Sequence, residues 1–177
     1  MTARRVIRNA RAEDFPSIAA LNAESERYLS PMAEARLERL HGWASYHRVI
    51  ERDGRLAAFL LAFREGAGYD SPNYRWFSAR YDSFVYIDRV VVAPKQRGNG
   101  LATSLYLDVF AFAQKQGVAT VTCEFDIDPP NEVSRRFHER LGFQEVGLNA
   151  YNNKRVSMQA TTRDAVLAPH SSPARRR

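Results

Sequence analysis

The segment VVVAPKQRGNGLA, residues 90–102, joins a predicted strand, a loop and a predicted helix. Its first residues end a β-branched run that predicts a strand over 84–93, which Pro94 stops. Its last residues begin a run of apolar side chains at helical spacing, which predicts a helix over 101–116. A strand that passes into a helix through a short glycine-containing loop indicates an α/β domain.

The loop in this segment carries glycines at two alternate positions, Gly98 and Gly100. Because glycine has no Cβ, main-chain N–H groups around it can converge on a ligand without obstruction, and a helix start adds unpaired N–H groups. Lys95 and Arg97 add positive charge. The loop predicts an anion site of pyrophosphate size. An ordinary strand-to-helix turn is the alternative, because neither common nucleotide fingerprint is present.

The remaining sequence alternates strands and helices. Apolar runs over 47–51 and 56–63 flank Asp53-Gly54, which is a strong hairpin signal because glycine tolerates the positive φ of tight turns. The predicted order is strand, helix, helix, several strands, then strand-helix-strand-helix-strand-strand. This order predicts a single α/β domain with a mixed sheet.

Two segments bear on the packing. Val133, Phe137 and Leu141 recur at intervals of four and predict the inward face of a helix that begins after Asn131. Residues 64–80 mix glycine, proline and polar residues with aromatic residues and fit no period, which predicts a long loop.

Composition bounds the class of protein. A chain of 177 residues suits one domain, and no apolar run is long enough to cross a bilayer. The N-terminus has no apolar signal segment, and the single Cys123 fits a reducing cytoplasm, so we expect a cytoplasmic protein. From Thr161 the periodicity is lost, so we expect the domain to span 1–161 and residues 162–177 to form a disordered basic tail.

The net charge of +6 invites a nucleic-acid interpretation. The last three residues, 175–177, are arginines, and other basic residues alternate with glutamates along predicted helices. Interleaved charges of this kind are typical of solvated helix faces. We therefore predict no nucleic-acid partner and no membrane partner.

The loop at 95–100 resembles the cofactor motif of the GNAT superfamily of N-acetyltransferases, Arg/Gln-x-x-Gly-x-Gly/Ala. Gly98 and Gly100 match this motif, while Lys95 departs from its first position and keeps hydrogen-bond donors. A second block, NEVSRRFHERLGF over 131–143, is similar to the family's Asn-x-x-x-x-x-Phe-Tyr-x-x-x-Gly-Phe.

The resemblance spans residues 4–159 and implies the family's fold. That fold is a mixed sheet of six to seven strands, splayed between the fourth and fifth strands and flanked by about four helices. Acetyl-CoA would lie in the V-shaped gap as acyl donor. The implied cofactor contacts are Val90, Val91, Val92, Lys95, Arg97, Gly98, Asn99, Gly100, Leu101, Ala102, Asn131 and Ser134.

Three residues are candidates for proton transfer. His138 stands where many GNAT relatives have a tyrosine that can protonate the departing thiolate, and histidine can also donate a proton; a polar helix residue is the alternative. Asp88 is a candidate base or ammonium anchor, and strand alternation would place it on the face of Val90 and Val92. Glu124 is the other candidate base, with Asp126 a further carboxylate nearby.

The aromatic residues ahead of the strand at 84–93 are candidates for an acceptor wall. The predicted wall residues are Tyr74, Trp76, Phe77 and Tyr81, and Tyr69 is a neighbour. Aromatic faces can hold an ammonium group by cation–π attraction. A small satellite core that pins a long loop is the alternative.

The sequence thus predicts an enzyme that moves an acetyl group from acetyl-CoA to a primary amine of a small molecule or peptide by direct attack. A non-catalytic acyl-CoA-binding sensor is the alternative. No set of His, Cys, Asp and Glu has metal-ligand spacing, so no metal is expected. A homodimer stays open, as does the identity of the acceptor.

Overall fold

The computed structural model describes residues 5–25 and 29–162. Seven strands lie within these ranges: β1 (Arg5–Asn9), β2 (Tyr46–Arg52), β3 (Arg55–Arg64), β4 (Val85–Val92), β5 (Thr120–Asp128), β6 (Gln144–Tyr151) and β7 (Lys154–Thr162). The same ranges contain five α-helices: α1 (Phe15–Ala23), α2 (Glu34–Trp43), α3 (Pro72–Ser78), α4 (Leu101–Lys115) and α5 (Glu132–Arg140).

All seven strands form one mixed sheet in the order β1-β2-β3-β4-β5-β7-β6. Neighbouring strands are antiparallel except β4 and β5, which are parallel and pair only at Val85 with Val121 and at Tyr86 with Thr122. Beyond these two pairs the strands separate, and a V-shaped gap opens toward their carboxyl ends. The predicted mixed sheet with a splay between the fourth and fifth strands is confirmed.

The hairpin between β2 and β3 turns at Asp53 and Gly54, whose φ angles are 52° and 72°. Two consecutive positive φ angles are typical of a type I′ turn, which matches the twist of the flanking strands. The predicted hairpin is confirmed.

Two apolar cores cover the two faces of the sheet. Alternate residues of β3 separate between them: Phe59, Leu61 and Phe63 belong to the first core, and Ala58, Leu60 and Ala62 belong to the second. The first core also receives α1, α2 and α3, and the second receives α4 and residues that flank α5. The two-faced burial of β3 explains its continuous apolar sequence.

The predicted loop over 64–80 contains a helix instead. Ser71 accepts a hydrogen bond from the Tyr74 N–H at 3.4 Å, and Pro72 occupies the first helical position. The Ser-Pro pair is a known start signal that was outweighed by the surrounding glycines and polar residues. With α3, five α-helices within the described residues flank the sheet, where about four were predicted.

Two smaller predictions also differ from the structure. Val133 is 82% exposed, so its place on the inward face predicted for α5 is wrong, whereas Phe137 and Leu141 pack half-buried against the second core. The buried residue of that helix is His138. At the carboxyl end, β7 runs through Thr162 and pairs it with Thr120, one residue past the expected domain boundary. The rest of the predicted tail lies outside the described residues.

Candidate active site

A cleft of about 520 Å³ lies in the gap between β4 and β5. Its walls are residues 87–92 of β4 and 123–126 of β5, with α5 along one side. From Ile87 onward β4 has no strand partner on its β5 side, so its main-chain polar groups there are available to a ligand. The cleft is mainly apolar at its walls, with charged groups at both ends.

The glycine loop stands at one end of this cleft. Gly98 and Gly100 have φ angles of 77° and 70°, a region that side chains with Cβ rarely adopt. The N–H groups of Gly98, Asn99 and Gly100 donate to no acceptor among the described residues, and α4 begins directly after them. Donors that converge at a helix start fit a pyrophosphate. The loop therefore fits the phosphates of acetyl-CoA.

The other predicted cofactor residues divide into two groups. Seven line the cleft: Val90, Val91, Val92, Arg97, Ala102, Asn131 and Ser134. Lys95, Gly98, Asn99 and Gly100 are exposed on the adjoining loop, and Leu101 is buried beneath it. Asn131 also caps α5, because its Oδ1 accepts the Ser134 N–H at 3.1 Å. Arg140, for which the sequence predicted no role, also lines the cleft.

His138 is buried and has hydrogen bonds on both ring nitrogens. Nδ1 lies 2.8 Å from the Ser134 carbonyl oxygen, which can only accept, so Nδ1 carries the proton. Nε2, 2.8 Å away, therefore accepts from the Tyr106 hydroxyl, which lines the cleft. Burial lowers the pKa of His138 to about 4, so the ring is neutral at pH 7. A neutral ring that accepts from Tyr106 is not arranged to donate a proton into the cleft.

Asp88 occupies a β-bulge, since its neighbours Ile87 and Arg89 pair with Ala62 and Leu61 while Asp88 has no partner on β3. The bulge shifts the alternation of the strand, so Asp88 bonds to Tyr69 in the first core. Val90 and Val92 instead pack against the second core. The prediction that Asp88 shares their face is wrong for this reason.

The carboxylate of Asp88 is fully engaged. It accepts the Tyr69 hydroxyl at 2.5 Å and the Arg89 Nε at 2.6 Å, and both members of this ion pair are 6% exposed. Arg89 in turn donates to the Asn22 Oδ1 at 2.8 Å, which fastens β4 to the end of α1. A carboxyl group whose two oxygens are both occupied in this way serves to hold β4 against α1.

The carboxyl group of Glu124 differs from that of Asp88 in its partners and in its pKa. Its Oε1 accepts the Tyr86 hydroxyl at 2.9 Å and the Asn73 amide at 3.0 Å. Its Oε2 has less than 1 Å² of accessible surface and no hydrogen-bond partner among the described residues. Burial, together with the negative charge of Asp88, raises the pKa of Glu124 to about 8. A carboxyl group with a pKa near the working pH is suited to accept a proton.

A second cavity of about 290 Å³, here called the acceptor cavity, adjoins the cleft. Five residues line both spaces, Leu29, Asp88, Arg89, Glu124 and Tyr151, so both meet at Glu124. The other described residues that line the acceptor cavity are Ser30, Pro31, Arg36, Tyr69, Asp70, Ser71, Pro72, Asn73 and Asn152. These residues are predominantly polar, unlike the walls of the cleft.

Asn73 ties this cavity together. Its amide nitrogen donates to Glu124 and, at 3.2 Å, to the Tyr151 hydroxyl, and its Oδ1 accepts the Asn149 amide at 3.0 Å. Asn73 is 2% exposed, and the start of α3 supplies it. No local pattern in the sequence marks Asn73, because its partners come from strands that are remote in the chain.

The four predicted wall residues line neither the cleft nor the acceptor cavity. Tyr74 and Phe77 are 3% and 0% exposed within the first core, and Trp76 and Tyr81 pack half-buried against it. The rings turn inward because α3 places one face on the sheet. Of the aromatic residues in this part of the chain, Tyr69 is the one that reaches the acceptor cavity.

The family model for the acetyltransferase (GNAT) family matches residues 5–143. The chain belongs to this family. The match includes β4, the glycine loop, Glu124 and His138, so the residues of the candidate site fall within it. A search of curated proteins finds no match.

Solved structures of GNAT proteins share the fold at low sequence identity. The ribosomal-protein-S18-alanine N-acetyltransferase of Escherichia coli is 17% identical with a TM-score of 0.68, and the match covers 96% of this chain and 99% of that one. Ard1 of Thermoplasma volcanium is 17% identical with a TM-score of 0.71, covering 89% and 97%. The Salmonella typhimurium protein yncA, solved with its cofactor acetyl-CoA, is 17% identical with a TM-score of 0.68, covering 96% and 99%.

No helix within 5–25 and 29–162 is long and apolar enough to cross a membrane. No group of three His, Cys, Asp or Glu side chains in the same ranges is arranged to hold a metal ion. The expected cytoplasmic location and the expected absence of a metal stay predictions.

Proposed function

We propose that this GNAT acetyltransferase moves an acetyl group from acetyl-CoA to a primary amine by direct attack in a ternary complex. The proposal rests mainly on the environment of Glu124. This residue has a carboxyl group with a raised pKa and one unpartnered oxygen, at the junction of an apolar cleft and a polar cavity. Family membership and the fold shared with yncA, solved with acetyl-CoA, support the choice of donor.

When bound, acetyl-CoA supplies an activated acetyl thioester. The glycine loop would hold its phosphates through the unpaired N–H groups at Gly98 and Gly100, and Arg97 would add charge at the same end. The unpaired edge of β4 over 90–92 would align the rest of the donor by main-chain hydrogen bonds. A main-chain N–H of this edge would also polarise the acetyl carbonyl.

Glu124 would act as the general base. A primary amine is an ammonium ion near neutral pH, so it must lose a proton before its nitrogen can attack. Because Oε2 has less than 1 Å² of accessible surface, the side chains that cover it would shift when the amine binds, and Oε2 would then take this proton while Tyr86 and Asn73 hold Oε1 in place. The amine nitrogen then bonds to the acetyl carbon, the carbon–sulfur bond breaks, the nitrogen releases its second proton to solvent, and the coenzyme leaves as thiolate.

The departing thiolate does not require a strong acid. Thiols are far stronger acids than alcohols, with the cysteine side chain near a pKa of about 8.5, so a thiolate is a good leaving group without prior protonation. We assign His138 a positioning role, because it holds the hydroxyl of Tyr106 at the cleft wall and carries its own proton toward Ser134. Tyr106 and His138 both line the cleft, but both ring nitrogens of His138 are engaged, by Tyr106 and by Ser134.

The acceptor cavity would bind the amine. Tyr69 and Tyr151 line this cavity, and Glu124 is the carboxyl group that the amine meets there. Asp88, ion-paired to Arg89, would shape the cavity and raise the basicity of Glu124 by its negative charge. GNAT acetyltransferases act on small-molecule or protein amine acceptors, and both classes are open to this cavity.

The test is an acetyl-CoA turnover screen against monoamines, amino acids and short peptides, read by thiol release and by the mass of the acetylated product. The enzyme proposal expects at least one amine to raise thiol release well above the hydrolysis rate. It also expects Glu124→Gln to lower kcat/KM by roughly 100- to 10,000-fold, the usual contribution of a general base.

Glu145→Gln is the matched control, because Glu145 is an exposed carboxylate of the same sheet that lines neither cavity. It should leave the rate unchanged. Tight binding of acetyl-CoA with no thiol release from any amine would contradict the enzyme proposal and favour the acyl-CoA sensor.

A further inference from the structure

The carboxylates around the two cavities differ in whether a cation neutralises them. Four of the described lining residues are acidic: Asp70, Asp88, Glu124 and Asp126. Three of these have ionic partners within the described residues: Asp70 pairs with Arg36, Asp88 with Arg89 at 2.6 Å, and Asp126 with Lys154 at 3.1 Å. Glu124 has hydrogen bonds to neutral groups but no ionic partner in this part of the chain.

The three ion pairs leave little negative charge for a ligand. Asp88 and Arg89 are nearly inaccessible, so a second cation could use Asp88 only by displacing a guanidinium that Asn22 also holds. Asp126 is 11% exposed and Lys154 lies on it. A charged group that enters a confined space without a counter-charge loses hydration that nothing replaces.

Arg36 neutralises a third carboxylate, Asp70, at the outer end of the acceptor cavity. Its guanidinium lies 5.6 Å from the centre of the Tyr69 ring and 5.8 Å from that of Trp43, and it bonds to Asp70 at the cavity rim. The stacking fixes the cation beside Asp70, the most exposed carboxylate of the four. A ligand that extends outward from Glu124 therefore meets a cation at the rim.

We infer that the acceptor carries one ammonium group and no second cation, and that Arg36 enforces this selection by neutralising Asp70. The inference rests on the proposed function, because it takes Glu124 as the point where the reacting amine binds. It assigns the acceptor to small monoamines, whose remaining groups are neutral or anionic. It excludes diamines, polyamines and other polycations.

The experiment compares amines that differ only in the second charge. Amino alcohols of three to six carbons, such as 4-amino-1-butanol, are matched by length to diamines such as 1,4-diaminobutane. For each pair, kcat/KM is measured by thiol release with saturating acetyl-CoA, and Kd is measured by NMR titration of the full chain. The amino alcohol should be favoured by about tenfold or more at every length, because the second ammonium finds no unpaired carboxylate among the described residues that line the cavity.

The variant Arg36→Gln uncovers Asp70 and should shift the selectivity toward the diamines. Because Asp70 is exposed, the shift should be roughly two- to fivefold, the range of surface ion pairs. Arg135→Gln is the matched control, since Arg135 is also an exposed ion-paired arginine but lies on α5 and lines neither cavity. It should leave the selectivity unchanged.

Each outcome bears on the inference. Diamines that bind or react as well as the matched amino alcohols would overturn it, as would selectivity that Arg36→Gln and Arg135→Gln change equally. Binding by neither series would overturn it too, because the cavity would then not be an amine site. Selective binding of the amino alcohols without thiol release from any amine would leave the inference standing and contradict the proposed catalytic function alone.

Discussion

Replacing Gly100 by valine separates the contribution of the glycine loop to cofactor binding from its contribution to the fold. An added Cβ at Gly100 would meet no atom within 4 Å, so the variant has no steric clash inside the protein. Its cost to the fold is the positive φ of 70°, which is worth roughly 1–2 kcal/mol for a residue with a side chain. In a chain of this size that cost lowers Tm by roughly 2–8 °C.

The effect on acetyl-CoA should be much larger. A branched side chain at Gly100 would keep the phosphates away from the loop N–H groups, and each hydrogen bond to a charged group is worth about 1.5–3 kcal/mol. Loss of two such bonds weakens binding by about 100-fold or more. The assay is isothermal calorimetry with acetyl-CoA, together with thermal unfolding.

Gly117→Val is the matched control. Gly117 lies past the other end of α4, also has a φ of 70°, and also has no atom within 4 Å of an added Cβ. The two variants should therefore lose similar Tm, and only Gly100→Val should lose acetyl-CoA affinity. Equal affinities in the two variants would refute the assignment of the loop to the phosphates.

Three further predictions concern structural roles. His138→Phe should lower the unfolding free energy by about 1–3 kcal/mol, because the buried Tyr106 hydroxyl loses its acceptor. The kcat of this variant should change by less than about tenfold. A 100-fold loss of kcat would instead indicate that His138 is a general acid. Gly147→Ala should lower the free energy of unfolding, measured with denaturant, by about 1–3 kcal/mol, because the new Cβ would lie 2.5 Å from Trp76 Cζ2. The affinity for acetyl-CoA should not change. An unaltered stability would argue against the contact between α3 and β6. Truncation before Arg163 should leave Tm and activity unchanged, since 163–177 carry few apolar side chains; a fall of many degrees would show that this segment packs.

Patterns within short stretches of the sequence predicted the fold and the glycine loop proposed to hold the phosphates. Gly98, Gly100 and the β-branched run before them are contiguous in the chain, and their chemistry depends on backbone conformation that glycine reports directly. The Asp53-Gly54 hairpin was predictable for the same reason. These features need no knowledge of what lies across the sheet.

The acceptor end depends on long-range contacts that the sequence does not show. The raised pKa of Glu124 arises from burial between β4 and β5 and from Asp88, and its hydrogen bonds come from Tyr86 and Asn73. The bulge that turns Asp88 toward Tyr69 has no local marker, so simple alternation placed it on the wrong face.

The tautomer of His138 was also beyond the sequence, because it is set by the fold. The Ser134 carbonyl lies within the same helix, but the Tyr106 hydroxyl comes from α4. The motif gave the position of the residue, while its partners determine which nitrogen holds the proton. The packing of the aromatic residues of α3 could not be predicted for a similar reason. Composition alone does not distinguish aromatic residues that line a binding cavity from those that belong to a core.

The pH dependence of kcat/KM for the best amine in the panel tests the central claim most directly. A base with a pKa of about 8 is only about one-tenth ionised at pH 7 and about nine-tenths ionised at pH 9. Because the ionised carboxylate acts on the ammonium form of the acceptor, kcat/KM should rise roughly tenfold over this range and then level off. In Glu124→Gln the un-ionised amine alone can attack, so the much lower rate should climb about tenfold per pH unit with no plateau until the pKa of the acceptor. A wild-type profile without an inflection near pH 8, parallel to that of Glu124→Gln, would contradict the assignment of Glu124 as the base.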